Sequence, residues 1–185
     1  MRFGGRVLVS LALCLLGGAA LAQDLDFTPI PLPSDKDDIA ASALSPVEAK
    51  QIRDQAEQTS FDTPDSWAAE LRLRRLPIAG GEGIVVRGTA LLCGGTGNCE
   101  TWLFRRTKGG WANMFDGEAP VISSLGFGRH VSHGLPDLIA AAHLSASTST
   151  YFVYVFDGTV YRADACYEIE ADGAKRSVKK VACKQ

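Results

Sequence analysis

The three histidines of this 185-residue chain fall within a short span, at His130, His133 and His143, with Asp137 between them. Three imidazoles beside a carboxylate could serve a catalytic zinc ion, which takes three protein ligands and keeps a fourth position open. A centre of that kind would make the protein a metal-dependent hydrolase. However, His-x-x-His brings two rings to one face only in a helix, and Gly128, Gly134 and Pro136 argue against a helix here. The plainer reading is two loop histidines and one at a strand end. Ser145, Ser147 and Ser149 follow His143, but none lies in a G-x-S-x-G elbow, and alternating Ser/Thr residues read as a flexible loop. Asp137 and Asp157 are explained by turn and strand positions rather than as a glycosidase pair. The sequence therefore yields no catalytic set and requires no cofactor.

Two other groups of residues could bind. Cys93-Gly94-Gly95-Thr96-Gly97-Asn98-Cys99 is rich in glycine like a phosphate cradle, yet Glu100-Thr101-Trp102 opens a strand where a P-loop would need Lys-Ser/Thr opening a helix. It reads better as a hairpin loop tied at its ends, with Gly95, Thr96 and Asn98 able to meet a ligand at low ordering cost. A purely structural staple is the plainer alternative. Arg72 and Arg74 share one side of a strand pattern, and Arg87 and Arg105 can fall on the matching sides of theirs. If those strands are neighbours, four guanidinium groups line one surface suited to carboxylate or phosphate. Otherwise they are the solvated face of an ordinary sheet.

Residues 1–22 have the pattern of a secretory signal peptide: Arg2 and Arg6, an apolar stretch from Val7 to Leu16, and Ala20-Leu21-Ala22 before the expected cut at Gln23. The apolar stretch is too short to span a bilayer. Cys14 raises a lipoprotein alternative, but Leu13 stands where a lipobox needs a small residue. Without Cys14, four cysteines remain, and an even number in an exported chain reads as two disulfides. Of three connectivities, Cys93–Cys99 with Cys166–Cys183 fits the strand layout best. Residues 23–66 hold ten acidic and three basic residues, a net of −7, and residues 67–185 hold eleven acidic and fourteen basic, a net of +3. An acidic arm thus precedes a slightly basic domain, and it could dock on the arginines. No basic run is dense enough for nucleic acid.

The positioning elements follow from periodicity. Residues 23–63 read as an acidic linker, proline-rich at Pro29, Pro31 and Pro33, containing one short helix on the domain's flank. Ser45-Pro46-Val47-Glu48 is a capping-box start, and the helix should run to about Gln58. Residues 64–185 form the disulfide-tied β domain, with a strand favoured up to Ile78 and further strands from Ile84. Gly126 to Gly134 reads as a loop, and Asp157-Gly158 as a two-residue hairpin turn. About eight short strands and no long helix between them predict a mainly β fold, an antiparallel sandwich or strongly curved sheet.

The motifs CGGTGNC, HGLPDLIAAAH and YVFDGTVYRADAC together resemble a group of uncharacterised exported bacterial domains with a C-G-x-x-G-N-C loop, a G-x-P-D-L segment and an F-D-G-x-x-Y hairpin. The G-x-P-D-L segment is faintly similar to FG-GAP or VCBS blade strands, and in size and disulfide use the chain resembles periplasmic lysozyme inhibitors. These likenesses bring no assigned activity. The expectation is a periplasmic or secreted, non-enzymatic binding module with a protein or anionic envelope ligand, such as an inhibitor of, or immunity factor against, a cell-envelope enzyme. The alternatives are the histidine-based hydrolase and a structural envelope domain.

Overall fold

A computed structural model describes residues 25–34, 44–60, 71–89 and 92–183. The expected signal peptide lies outside these residues. The described chain folds into β1 (Phe27–Pro29), α1 (Pro46–Gln58), β2 (Leu71–Ile78), β3 (Gly81–Gly88), β4 (Cys99–Thr107), β5 (Gly110–Asn113), β6 (Val121–Ile122), β7 (Ser124–Ser132), β8 (Leu135–His143), β9 (Thr148–Phe156), β10 (Tyr161–Asp172) and β11 (Lys175–Val181). It is mainly β, with two antiparallel sheets: β1-β7-β8-β9-β10-β11, and β2-β3-β4-β5 with β6 paired to the start of β4.

The sheets pack face to face because the strands alternate. Val85 and Leu103, directly paired across β3 and β4, point at the six-stranded sheet and bury against Leu125, Leu138, Ala140, Tyr154 and Phe156. The next residues along, Ile84, Val86, Trp102 and Phe104, point the other way and are equally buried. What covers them is α1, through Ile52 and Ala56, with Trp111 completing this second core. The helix is therefore a layer of the fold, which corrects its expected place on the flank. Its apolar content is thin because two residues suffice to seat it on a surface of aromatic rings.

Its start is as the sequence signals. The Glu48 N–H donates to Ser45 Oγ (3.3 Å), and the Ser45 N–H donates to Glu48 Oε2 (3.0 Å). Arg106 adds an ion pair to Glu48 and lies over the Trp111 ring. Polar side chains of α1 also complete β5. Gln51 accepts from the Trp111 N–H and donates to Gly109 O, while Gln55 donates to Trp111 O and accepts from the Asn113 N–H. Two glutamines one turn apart thus stand in for a neighbouring strand.

Three expectations are corrected. The region read as linker contributes β1, paired to β7, and places Ile30 in the inter-sheet core. The region 126–134 is mostly strand. Gly126 is a site of close approach, since a Cβ there would stand 2.0 Å from the Phe27 ring. The turn is only His133-Gly134, with φ of 50° and 84° as a type I′ turn requires. The Asp157 loop has four residues rather than two. Asp157 Oδ1 accepts from the N–H groups of Thr159 (2.8 Å) and Val160 (2.9 Å), which holds the chain in a wider turn.

Ile52 is 1% exposed and Val47 of the same helix 78%. Replacing Ile52 by Ala should cost about 2–5 kcal/mol in urea denaturation, and Val47→Ala should change stability by less than about 0.5 kcal/mol. Equal effects would show that α1 is not a core layer. Acid should act through two carboxylates. The Arg106 guanidinium and the Ser45 N–H and hydroxyl lower the Glu48 pKa from 4.5 to about 2. The Val160 N–H, Arg162 and the Thr159 N–H lower that of Asp157 from 3.8 to about 2. Both pKa values are depressed by folding, so their stabilisation is present above about pH 4.5 and is lost as the pH falls towards 2. Glu48→Gln should flatten the loss of stability between those values, read as the urea midpoint against pH.

Candidate functional site

The structure separates the three histidines. His133 sits in the β7–β8 turn, with Nδ1 2.9 Å from Phe156 O, and His130 lies on β7 beside that end. His143 is at the opposite end of β8, eight residue steps from Leu135 or about 26 Å at a strand's rise. Among the described residues no group of three or more His, Cys, Asp or Glu side chains is placed to hold a metal ion. The three-histidine centre is thus corrected: an extended β8 keeps its ligands apart. His143 does reach Ser149 Oγ (3.2 Å), but Asp137 lies six steps back along β8 and cannot orient that ring. Ser145 Oγ is used as a turn cap, accepting from the N–H groups of Ser147 and Thr148.

The cysteines pair as Cys93–Cys99 and Cys166–Cys183, with Cα separations of 4.0 and 5.2 Å. Within the first loop, the Gly94 N–H donates to Asn98 O and the Gly97 N–H to Gly94 O. Gly95 and Thr96 are exposed, but Asn98 is buried. Its carboxamide accepts from the His143 N–H (2.9 Å) and donates to His143 O (2.8 Å) and Thr96 Oγ1 (2.8 Å). The loop is a clamp from the smaller sheet onto the end of β8.

The four arginines do lie on one face. Arg72 pairs with Arg87, Arg74 with Val85, and Gly83 with Arg105. The presence of Val85 and Leu103 on that face shows which one it is: the face turned towards the six-stranded sheet, not a solvated outer surface. The opposite face is apolar and taken by α1. All four arginines are partly buried, and Arg87 donates to Gly97 O of the clamp. They sit at the margins of the inter-sheet layer rather than on an open anion-binding plane.

A concave site lies elsewhere, on the outer face of the six-stranded sheet. A groove of ≈ 190 Å³ has a floor of Ile139, Val153, Val155, Ala165 and Tyr167, and a rim of Arg129, His130, Asp137 and Asp164. Two register irregularities make it. In β7 the pairing passes from Phe127↔Leu138 to Val131↔Pro136, so Gly128, Arg129 and His130 stand opposite the single residue Asp137. In β10 it passes from Ala163↔Tyr154 to Ala165↔Val153, which leaves Asp164 as an inserted residue. Bulges of this kind bend a strand and re-aim side chains. Here they flank β8 and β9 on both sides and leave a trough between. No family model, curated protein or solved structure matches this chain. The site must be read from its own chemistry.

The arrangement is suited to binding. Asp137 is 8% exposed, with Oδ1 accepting from Ser132 Oγ at 2.8 Å. Arg129 is engaged by Asp26. Sequence reasoning drew attention to His130 as a metal ligand and to Asp137 lying among the histidines, and missed the floor altogether. The signal available was the apolar outer register of β9, Val153 and Val155.

The clamp is open to a direct test. Asn98→Ala leaves both backbone groups of His143 without their partner and should cost about 1–3 kcal/mol. It should also speed hydrogen exchange at the His143 amide more than at core amides such as Leu103. A local exchange rate unchanged from the parent would refute the clamp.

Proposed function

We propose that the protein is a non-enzymatic binding module of the periplasm or extracellular space, and that its groove on the outer sheet face takes an anchor side chain of a protein partner. The groove is the observation that carries this reading. Small-molecule and cofactor sites run to roughly 300–1,000 Å³, whereas this one is ≈ 190 Å³, room for one large side chain. Protein interfaces concentrate their energy on such anchors seated in pockets. Partly buried arginines at the sheet margins favour a protein partner over an extended anionic polymer. Two disulfides agree with an oxidising compartment, and no helix among the described residues is long and apolar enough to cross a membrane. Together with the resemblance to exported bacterial domains, these features support an inhibitor of, or immunity factor against, a cell-envelope enzyme.

The test is affinity capture from an envelope extract by the chain from Gln23 onward, with bound proteins identified by mass. Val153 is partly exposed on the groove floor, so Val153→Trp should fill the groove without unfolding the sheet. Recovery of the partner should fall at least tenfold, while Lys175→Glu on the distant edge strand should leave it unchanged. Undiminished capture by the Val153→Trp protein, with its melting temperature preserved, would remove the groove from the binding surface.

A further inference from the structure

We propose that the side chain accepted by the groove is cationic, the ammonium or guanidinium head of a lysine or arginine on the partner protein. This rests on the groove being the binding surface and adds what chemistry it selects. The first observation is the state of Asp137. It is more than nine-tenths buried, yet only Oδ1 is held by a donor, Ser132 Oγ. The buried side-chain atoms that lack any hydrogen bond do not include Oδ2, so Oδ2 is not sealed inside the protein. Asp137 itself lines the groove. Asp164, exposed and the inserted residue of β10, lines the same groove two strands away.

The second observation is the balance of charge. On the same rim Arg129 is paired with Asp26, and His130 is exposed on the β7 bulge. Asp137 and Asp164 share the groove with Ile139, Val153, Val155 and Tyr167. That combination matches a long side chain with an apolar stem and a charged head, the stem along the floor and the head at the carboxylates.

The third step is energetic. An apolar anchor would cover Asp137 and strip the last water from Oδ2 without replacing it. A buried charge left in that state is strongly unfavourable. A cationic head supplies the missing donors as its stem closes the groove, and a charge-assisted bond of that kind is stronger than a neutral one. The same groove thus rewards Lys or Arg and penalises Leu or Met of similar length. A divalent metal finds too few ligands, since no cluster of three suitable side chains exists among the described residues.

The experiment uses the isotopically labelled chain from Gln23 onward. It is titrated with Nα-acetyl-lysine methylamide, the arginine analogue, and Nα-acetyl-norleucine methylamide as a neutral control of the same shape. The expected result is saturable movement of the Gly128, Asp137 and Ala165 amide resonances with either cation, at least tenfold tighter than with norleucine. The difference should shrink as salt is raised. Asp137→Asn should remove the preference for the cation, and Asp164→Asn should weaken it several-fold. Equal binding of norleucine, or no saturable shift at these amides, overturns the proposal without needing any variant. If cations fail while Val153→Trp still abolishes capture, the groove remains a binding surface and only its selectivity is wrong. If cations bind at the groove but capture survives Val153→Trp, the partner reading fails and the cation site stands.

Discussion

The fold depends on one pair of strands being buried on both faces. In β3 and β4, Val85 and Leu103 look into the inter-sheet core, while Ile84, Val86, Trp102 and Phe104 look out. An outward row of that size cannot face water, because burial of such side chains is worth roughly 1.5–3 kcal/mol each. Something must cover it, and α1 is what the chain supplies. The rest follows from that requirement. The helix has to be preceded by enough chain to reach across the sheet, and its start is fixed by the Ser45–Glu48 capping box and by Arg106. The Trp102 indole N–H donates to Thr59 Oγ1 just past its last turn, which pins the other end.

Sheet edges are then managed in different ways. β5 is satisfied by Gln51 and Gln55, so a helix both covers a face and closes an edge. β11 carries Lys175, Arg176, Lys179 and Lys180, all exposed, and a run of cations on an edge discourages pairing with another copy. At the opposite edge β1 has only three residues. With one face of the smaller sheet under α1 and the two inner faces against each other, the outer face of the six-stranded sheet is where the groove lies.

Much of this was legible because it rests on local chemistry. The capping box announces α1, the neighbouring cysteines suit adjacent strands, and the alternation of Glu100–Arg106 marks β4. What failed was every inference that needed to know what lies on the far side of a residue. Trp102 and Phe104 look like half of an ordinary amphipathic strand, and nothing local says that the other half is buried too. Gly126 looks like a turn residue until Phe27 is seen to occupy the space of its missing side chain. The arginines were rightly grouped on one face, but only the packing of Val85 and Leu103 identifies it as the inner one.

The groove was illegible for a sharper reason. In β10 the apolar residues Tyr161, Ala163, Ala165, Tyr167 and Ile169 occupy alternate positions, and strict period-two reading puts all five on a single face. The insertion at Asp164 divides them: Tyr161 and Ala163 belong to the inter-sheet core, while Ala165 and Tyr167 line the outer groove. A one-residue slip exchanges faces for everything beyond it, and the sequence leaves it unmarked. The longer irregularity in β7 inserts two residues opposite Asp137, which keeps the alternation beyond it but bulges a stretch whose glycines resemble a loop. Both departures fall on strands flanking the same trough, and each places a charged residue on its rim. An irregularity in one strand alone would be an accident of packing. Two that line one trough give the sheet a concave, charged surface that a regular sheet cannot have, and that is the structural ground for reading it as a site.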